Sequence, residues 1–195
     1  MGTRGAWGFV SNGTEYLTYN HYDSYPEALG TDILCFMRGQ TGDLDGLRNR
    51  VEALQSVDAQ AEPSEDERVK LADFADTGVS TGKDWYSLLR ETQGNPELTL
   101  AAGYMPEGGG DFARNNSLFC EWAYVVDLDA GFFEVYKGFQ TEPHTEGRFA
   151  DGEPRKGYYP CKMIAAYSIH ELPTDEQFLE DCSPPDEDES DTLAA

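Results

Sequence analysis

Basic residues are scarce in this sequence. Its 195 residues include only 14 lysines and arginines against 37 aspartates and glutamates, which gives a formal net charge of −23. A surface with this balance repels the phosphates of nucleic acids. We therefore expect no direct binding to DNA or RNA.

Long apolar runs and export signals are also lacking. No stretch approaches the roughly 18 apolar residues that a membrane-spanning helix requires. The N-terminus has no basic segment followed by an apolar core, as a signal peptide would. The sequence predicts a cytoplasmic protein with no membrane association, and it leaves the oligomeric state open.

Metal-ligating residues are few and scattered. The four cysteines form no C-x-x-C pair, whereas structural zinc ligands normally come in close pairs. We expect free thiols, no metal and no cofactor.

The acidic residues are concentrated at the C-terminal end. Nine of them, and no lysine or arginine, follow Pro173. We predict a single α+β domain over residues 1–172 and an acidic, mostly disordered tail over residues 173–195. The acidity has three interpretations: a solvating coat, phosphate mimicry, or a docking surface for another basic partner. The candidate binding residues of the tail are Asp186, Glu187, Asp188 and Glu189.

An N-terminal hairpin and several helices are indicated in the first half. Asn12 and Gly13, flanked by apolar residues, suit a type I′ turn between strands near residues 4–11 and 14–20. Helices are expected next. Two of them are preceded by the S-x-x-E spacing of a capping box, at Ser24–Glu27 and at Ser64–Glu67.

The strongest strand signal is the segment LFCEWAYVVDLDAGFFEVYKGFQ. Apolar residues alternate from Cys120 to Leu128, and a turn and a return strand follow. One more strand is expected in CKMIAAYSIHEL. The order predicts an α+β fold with an N-terminal β-hairpin, central helices, and a C-terminal antiparallel hairpin plus strand, all in one antiparallel sheet.

The segment YNHYDSYP, residues 19–26, is the main candidate for a site. His21 and Asp23 could act as a catalytic pair, in which the carboxylate orients an imidazole general base. The alternative is a hydrogen-bonded corner between the second strand and the first helix. We favour the corner and keep His21 and Asp23 as the catalytic candidates.

This segment and the opening MGTRG resemble an uncharacterised family found in bacteriophages and bacteria. Its members begin with Met-Gly-Thr-Arg-Gly and carry Tyr-Asn-His-x-Asp-Ser-Tyr-Pro before the first helix. They also have a late Tyr-Val-Ile-Asp-Leu-Asp hairpin, similar to YVVDLD at residues 124–129. The resemblance implies a phage or mobile-element origin, with a place in the host cytoplasm, and no established activity. The residues that it marks are Arg4, Asn20, His21, Asp23, Ser24 and Tyr25. Of these, Arg4, Asn20 and Tyr25 are candidate binding residues.

A weaker likeness is to N-terminal-nucleophile hydrolases, which also begin with a buried hairpin followed by helices. They need Cys, Ser or Thr as the mature first residue, because its amine serves as the base. Removal of Met1 would expose Gly2, and this departure argues against catalysis by that route.

Two functions therefore remain open. The first is a non-enzymatic interaction protein whose acidic surface engages a basic host protein, with nucleic-acid mimicry as one mode. The second is a small hydrolase or ligand-binding domain with a site near His21 and Asp23. Independently, the ending Leu193-Ala194-Ala195 resembles the Leu-Ala-Ala end of the bacterial tag for the Clp unfoldase–protease, and it predicts a degradation signal.

Overall fold

The computed structural model describes residues 2–76, 78 and 82–183 and has an α+β fold. A five-stranded sheet has the order β2-β1-β5-β6-β7, and a separate pair joins β3 to β4. The strands are β1 (Gly5–Ser11), β2 (Thr14–Asn20), β3 (Gln55–Val57), β4 (Tyr104–Pro106), β5 (Trp122–Asp127), β6 (Phe132–Lys137) and β7 (Lys162–Ser168). The α-helices are α1 (Thr31–Gln40), α2 (Leu44–Glu52), α3 (Glu65–Lys70), α4 (Trp85–Leu88), α5 (Pro96–Ala102), α6 (Gly109–Asn115) and α7 (Asp175–Cys182). No helix within these described ranges is long and apolar enough to cross a membrane.

The predicted order of hairpin, helices, hairpin and strand is confirmed. Strands β1 and β2 are antiparallel around Asn12 and Gly13, whose φ angles of 51° and 71° fit a type I′ turn. Strands β5, β6 and β7 are also antiparallel neighbours. The expected all-antiparallel sheet is wrong at one pair, because β1 runs parallel to β5 with Gly5 opposite Trp122. Parallel strands need a long crossover, and the central helices lie within it.

Both faces of the sheet are covered, which explains why all of β1 is buried. Alternate side chains of the central strands point to opposite faces. Trp7 and Tyr124 belong to a core that α1, α2 and α7 close, whereas Ala6 and Val125 pack with α6 and Phe149 on the other face. The sheet is thus the middle layer of the fold.

A nearly buried ion-pair network lies at one end of β5 and β6. Arg148 donates from Nε to Glu134 at 2.8 Å and from Nη2 to Asp127 at 2.5 Å. The side chain of Arg148 is only 16% exposed, that of Glu134 13% and that of Asp127 10%. Burial opposes the charged guanidinium, but the hydrogen bonds and charge of Glu134 outweigh it and raise the pKa of Arg148. The network joins the loop before β7 to the sheet.

The folded region extends beyond the predicted boundary at residue 173. Helix α7 begins with a capping box between Thr174 and Gln177. Its Phe178 is fully buried and stacks on Phe133, with ring centroids 5.9 Å apart. Helix α7 is therefore part of the core, and the tail begins later than the sequence predicts. The many acidic residues of this segment suggested disorder, although Phe178 among them is buried.

One predicted helix cap is confirmed and another is wrong. Ser64 and Glu67 form the capping box of α3. Ser24 does not cap a helix, because the π-helical turn Pro26–Gly30 precedes α1 and has no side-chain cap. The hydroxyl of Ser24 instead accepts a hydrogen bond from Asn20.

Candidate functional site

The corner between β2 and α1 is held by buried side chains. Asn20 donates from Nδ2 to the carbonyl of Tyr22 at 2.6 Å and to Oγ of Ser24 at 2.8 Å. Tyr124 donates from its hydroxyl to the carbonyl of Ser24 at 2.9 Å. Asn20 and Ser24 are both buried. Of the residues that the family resemblance marks, these two therefore stabilise the corner.

His21 and Asp23 lie in the same corner but are not paired. Nδ1 of His21 is 2.9 Å from the hydroxyl of Tyr19, and no hydrogen bond joins it to Asp23 among the described residues. Asp23 has a φ of 55°, and its carbonyl accepts the N–H of Leu29. Burial, followed by the positive charges of Arg90 and Arg4, lowers the pKa of His21. The lowered pKa favours the neutral ring, and no carboxylate of the described residues orients it.

Tyr19 also lines a cavity of about 180 Å³. Its walls come from β2, a turn after β3, the segment from α4 to α5, and the end of β4. The lining includes Tyr19, Ala59, Tyr86, Leu89, Gln93 and Pro106. We call this space the tyrosine cavity.

Arg90 stands beside the tyrosine cavity, and sequence reasoning missed it. Its guanidinium lies 5.3 Å from the ring centroid of Tyr86 and 5.5 Å from that of Tyr22. Nη1 of Arg90 donates to the hydroxyl of Tyr86 and, at 3.3 Å, to Oε1 of Gln93. The available signal was the i, i+4 spacing of Tyr86 and Arg90, which places both on one side of a helical segment.

Arg4 and Tyr25 lie at the surface near the same end of the sheet. The guanidinium of Arg4 is 5.7 Å from the ring of Phe119, which Lys156 also approaches at 5.9 Å. Phe119 is 41% exposed. Tyr25 is exposed too, and its carbonyl accepts the N–H of Ala28 in the π-helical turn. Arg4 therefore has an aromatic neighbour that its position in the sequence did not reveal.

An open groove between β7 and α7 is rich in carboxylates. It is lined by Tyr167, Glu171, Leu172, Pro173, Gln177, Glu180 and Asp181, and we call it the acidic groove. Asp181 accepts a hydrogen bond from the hydroxyl of Tyr167 at 2.8 Å. Burial and the hydrogen bond to Asp181 raise the pKa of Tyr167. Glu171, Glu180 and the nearby Glu176 are exposed, and none pairs with a cation in the part of the chain that the structure describes.

The remaining candidates lie outside the described residues. They are the tail carboxylates Asp186, Glu187, Asp188 and Glu189 and the ending Leu193, Ala194 and Ala195. All four cysteines are free thiols. Across residues 2–76, 78 and 82–183, no group of three or more His, Cys, Asp or Glu side chains could hold a metal ion. Comparison of the chain with protein-family models, curated proteins and solved structures gave no match.

Proposed function

We propose that this chain is a non-enzymatic interaction protein of phage or mobile-element origin, whose acidic surface engages a basic partner protein. The acidic groove is the observation that supports this proposal best. It combines exposed, unpaired carboxylates at Glu171 and Glu180 with the apolar side chains of Leu172 and Pro173. Such a groove can hold the cationic head and the aliphatic stem of Lys or Arg side chains together.

The groove also lies next to the most acidic part of the sequence. Helix α7 ends at Cys182, and five more acidic residues follow it in the sequence. An excess of one charge speeds the encounter with an oppositely charged partner. Nucleic-acid mimicry is the form of this proposal in which the partner's basic surface normally holds phosphates.

The hydrolase alternative has less support. That alternative requires Asp23 to orient His21 as a general base. Nδ1 of His21 instead lies 2.9 Å from the hydroxyl of Tyr19, and no hydrogen bond joins it to Asp23 among the described residues. A ligand-binding role is independent of such a pair.

The proposal is tested with a Lys/Arg-rich peptide and three glutamate substitutions in and beside the groove. The variant E171Q/E176Q/E180Q removes three charges. At about 0.3–0.5 kcal/mol for each of three exposed charge pairs, the affinity should fall about fivefold to twelvefold. The control E65Q/E142Q/E153Q removes three exposed charges elsewhere. It should lower the affinity by less than threefold at 0.15 M salt.

Calorimetric titration of the peptide into each variant gives the comparison. Binding should vanish for all forms at 0.5 M salt, where screening acts within about 4 Å. Equal losses in the two triple variants would show that bulk charge alone attracts the peptide, and the groove would then lose its role.

A further inference from the structure

We propose that the tyrosine cavity binds a small aromatic carboxylate, with the ring inside the cavity and the carboxylate at Arg90. This site is separate from the acidic groove, and its ligand is unlike the basic partner. The proposal depends on three features of the cavity: its size, its walls and the charge beside it.

The size of the cavity limits the ligand to about one ring. Its volume is about 180 Å³. A dry, apolar protein cavity of about 150 Å³ accepts benzene. The tyrosine cavity therefore suits a six-membered ring with a short substituent, and it is too small for a nucleotide or a long acyl chain.

The walls are largely apolar, and several of their hydroxyl groups already have partners. Thr92 donates to the carbonyl of Leu89 at 2.9 Å, and Thr99 donates to the carbonyl of Thr92 at 3.2 Å. The rings of Tyr19 and Tyr86 complete the wall, with centroids 6.4 Å apart. A ligand ring would meet aromatic and aliphatic surface, which favours an apolar guest.

Arg90 supplies the charge that selects an anion. No carboxylate of the described residues pairs with it, although the chain is strongly acidic. Its two hydrogen bonds to the cavity wall both use Nη1. The Nε and Nη2 groups of Arg90 therefore donate no hydrogen bond to any described residue. Together they form one edge of the guanidinium, and such an edge can bind a carboxylate through two parallel hydrogen bonds.

Three neighbours fix the direction of the ligand. The rings of Tyr22 and Tyr86 hold the Arg90 guanidinium in place through cation–π contacts. Glu107 also lines the cavity, and its negative charge disfavours a second carboxylate near it. The ligand carboxylate should therefore point to Arg90 and away from Glu107.

The test is a titration of the full chain with benzoate and with benzyl alcohol, its uncharged counterpart, followed by NMR and calorimetry. Benzoate should bind and shift the signals of Tyr19 and Tyr86. Arg90→Gln should weaken benzoate about tenfold or more, because a charge-assisted pair is lost, and should change benzyl alcohol less than twofold. Arg155→Gln, at an exposed cation away from the cavity, should leave both unchanged.

Filling the cavity gives a second, independent variant. Ala59→Phe places a ring in the cavity from a turn, and it should abolish binding of both probes. If this variant does not fold, as seen by circular dichroism, the Arg90→Gln comparison decides alone. Failure of benzoate to bind the wild type, or equal binding by wild type and Arg90→Gln, would overturn the proposal. Binding of the basic peptide by Arg90→Gln should be unchanged, which separates this result from the test of the acidic groove.

Discussion

Replacing Arg148 with methionine would remove the cation from the network at β5 and β6 and leave two nearly buried carboxylates unpaired. Arg148 contacts both Asp127 and Glu134, and Glu134 also accepts a hydrogen bond from Tyr136 at 2.7 Å. Loss of one partner from a buried ion pair costs about 3–5 kcal/mol, because the remaining charge has lost its counter-charge. We therefore expect Arg148→Met to lower the free energy of unfolding by about that amount, out of a typical total of about 5–15 kcal/mol.

Thermal and urea unfolding would measure the change. For a domain of this size, about 1 kcal/mol corresponds to about 2–4 °C in Tm, so a decrease of about 6–20 °C is expected. Arg155→Met is the matched control, since Arg155 is exposed and has no ion pair among the described residues. The control should stay within about 0.5 kcal/mol of the wild type.

A double variant tests whether the loss comes from unpaired charge. Arg148→Met combined with Glu134→Gln removes one stranded carboxylate and should recover part of the stability. A loss below about 1 kcal/mol in the single variant, the range of exposed ion pairs, would refute the argument, because it would mean that water screens the network. Equal stability of the single and double variants would refute it as well.

Three further outcomes are expected. Asn20→Ala should cost about 1–3 kcal/mol in urea unfolding, because a buried side chain with two hydrogen bonds is lost. His21→Ala should stay within about 0.5 kcal/mol, and the reverse order would contradict the structural role of the corner. In an NMR titration, the pKa of His21 should lie below the ordinary histidine value of about 6.5, and Arg90→Gln should raise it, because Arg90 contributes to the lowering. The pKa of His21 is lower in the folded than in the unfolded state, so folding favours the neutral ring. The resulting stabilisation is fully present above the unfolded pKa of about 6.5 and is lost as the pH falls below it. Changing Ala194 and Ala195 to Asp should lengthen the lifetime of the protein in bacteria that contain the Clp protease, and equal decay in chase experiments would remove the proposed degradation signal.

Local patterns predicted the elements of this fold well, because their causes are local. Asn12 and Gly13 adopt the left-handed angles that a type I′ turn needs, and the hairpin follows from them. The parallel pairing of β1 with β5 was not predictable in this way. It joins Gly5 to Trp122, and nothing in either strand alone specifies the other as its neighbour.

The two S-x-x-E segments show why the site was harder to predict than the fold. Ser64 caps α3, whereas Ser24, with the same spacing, bonds to the Asn20 side chain four residues earlier. A spacing rule assumes that the hydroxyl is free, and a competing local side-chain hydrogen bond removes that freedom. The tyrosine cavity was hard to predict for a different reason, since its walls come from segments that are distant in the sequence.

The parallel pairing of β1 with β5 also affects how the chain folds during its synthesis. About 100 residues separate the end of the first hairpin from the strand that completes it, which corresponds to about 5–20 s of synthesis at the usual bacterial and eukaryotic rates. During that interval the edge of Gly5–Ser11, an uncharged strand without proline, has no partner within its own chain. An isolated two-stranded hairpin is at best marginally stable, and an open edge of this composition is a template for pairing with other chains. The first hairpin therefore keeps this edge open to such pairing until Trp122–Asp127 has been made.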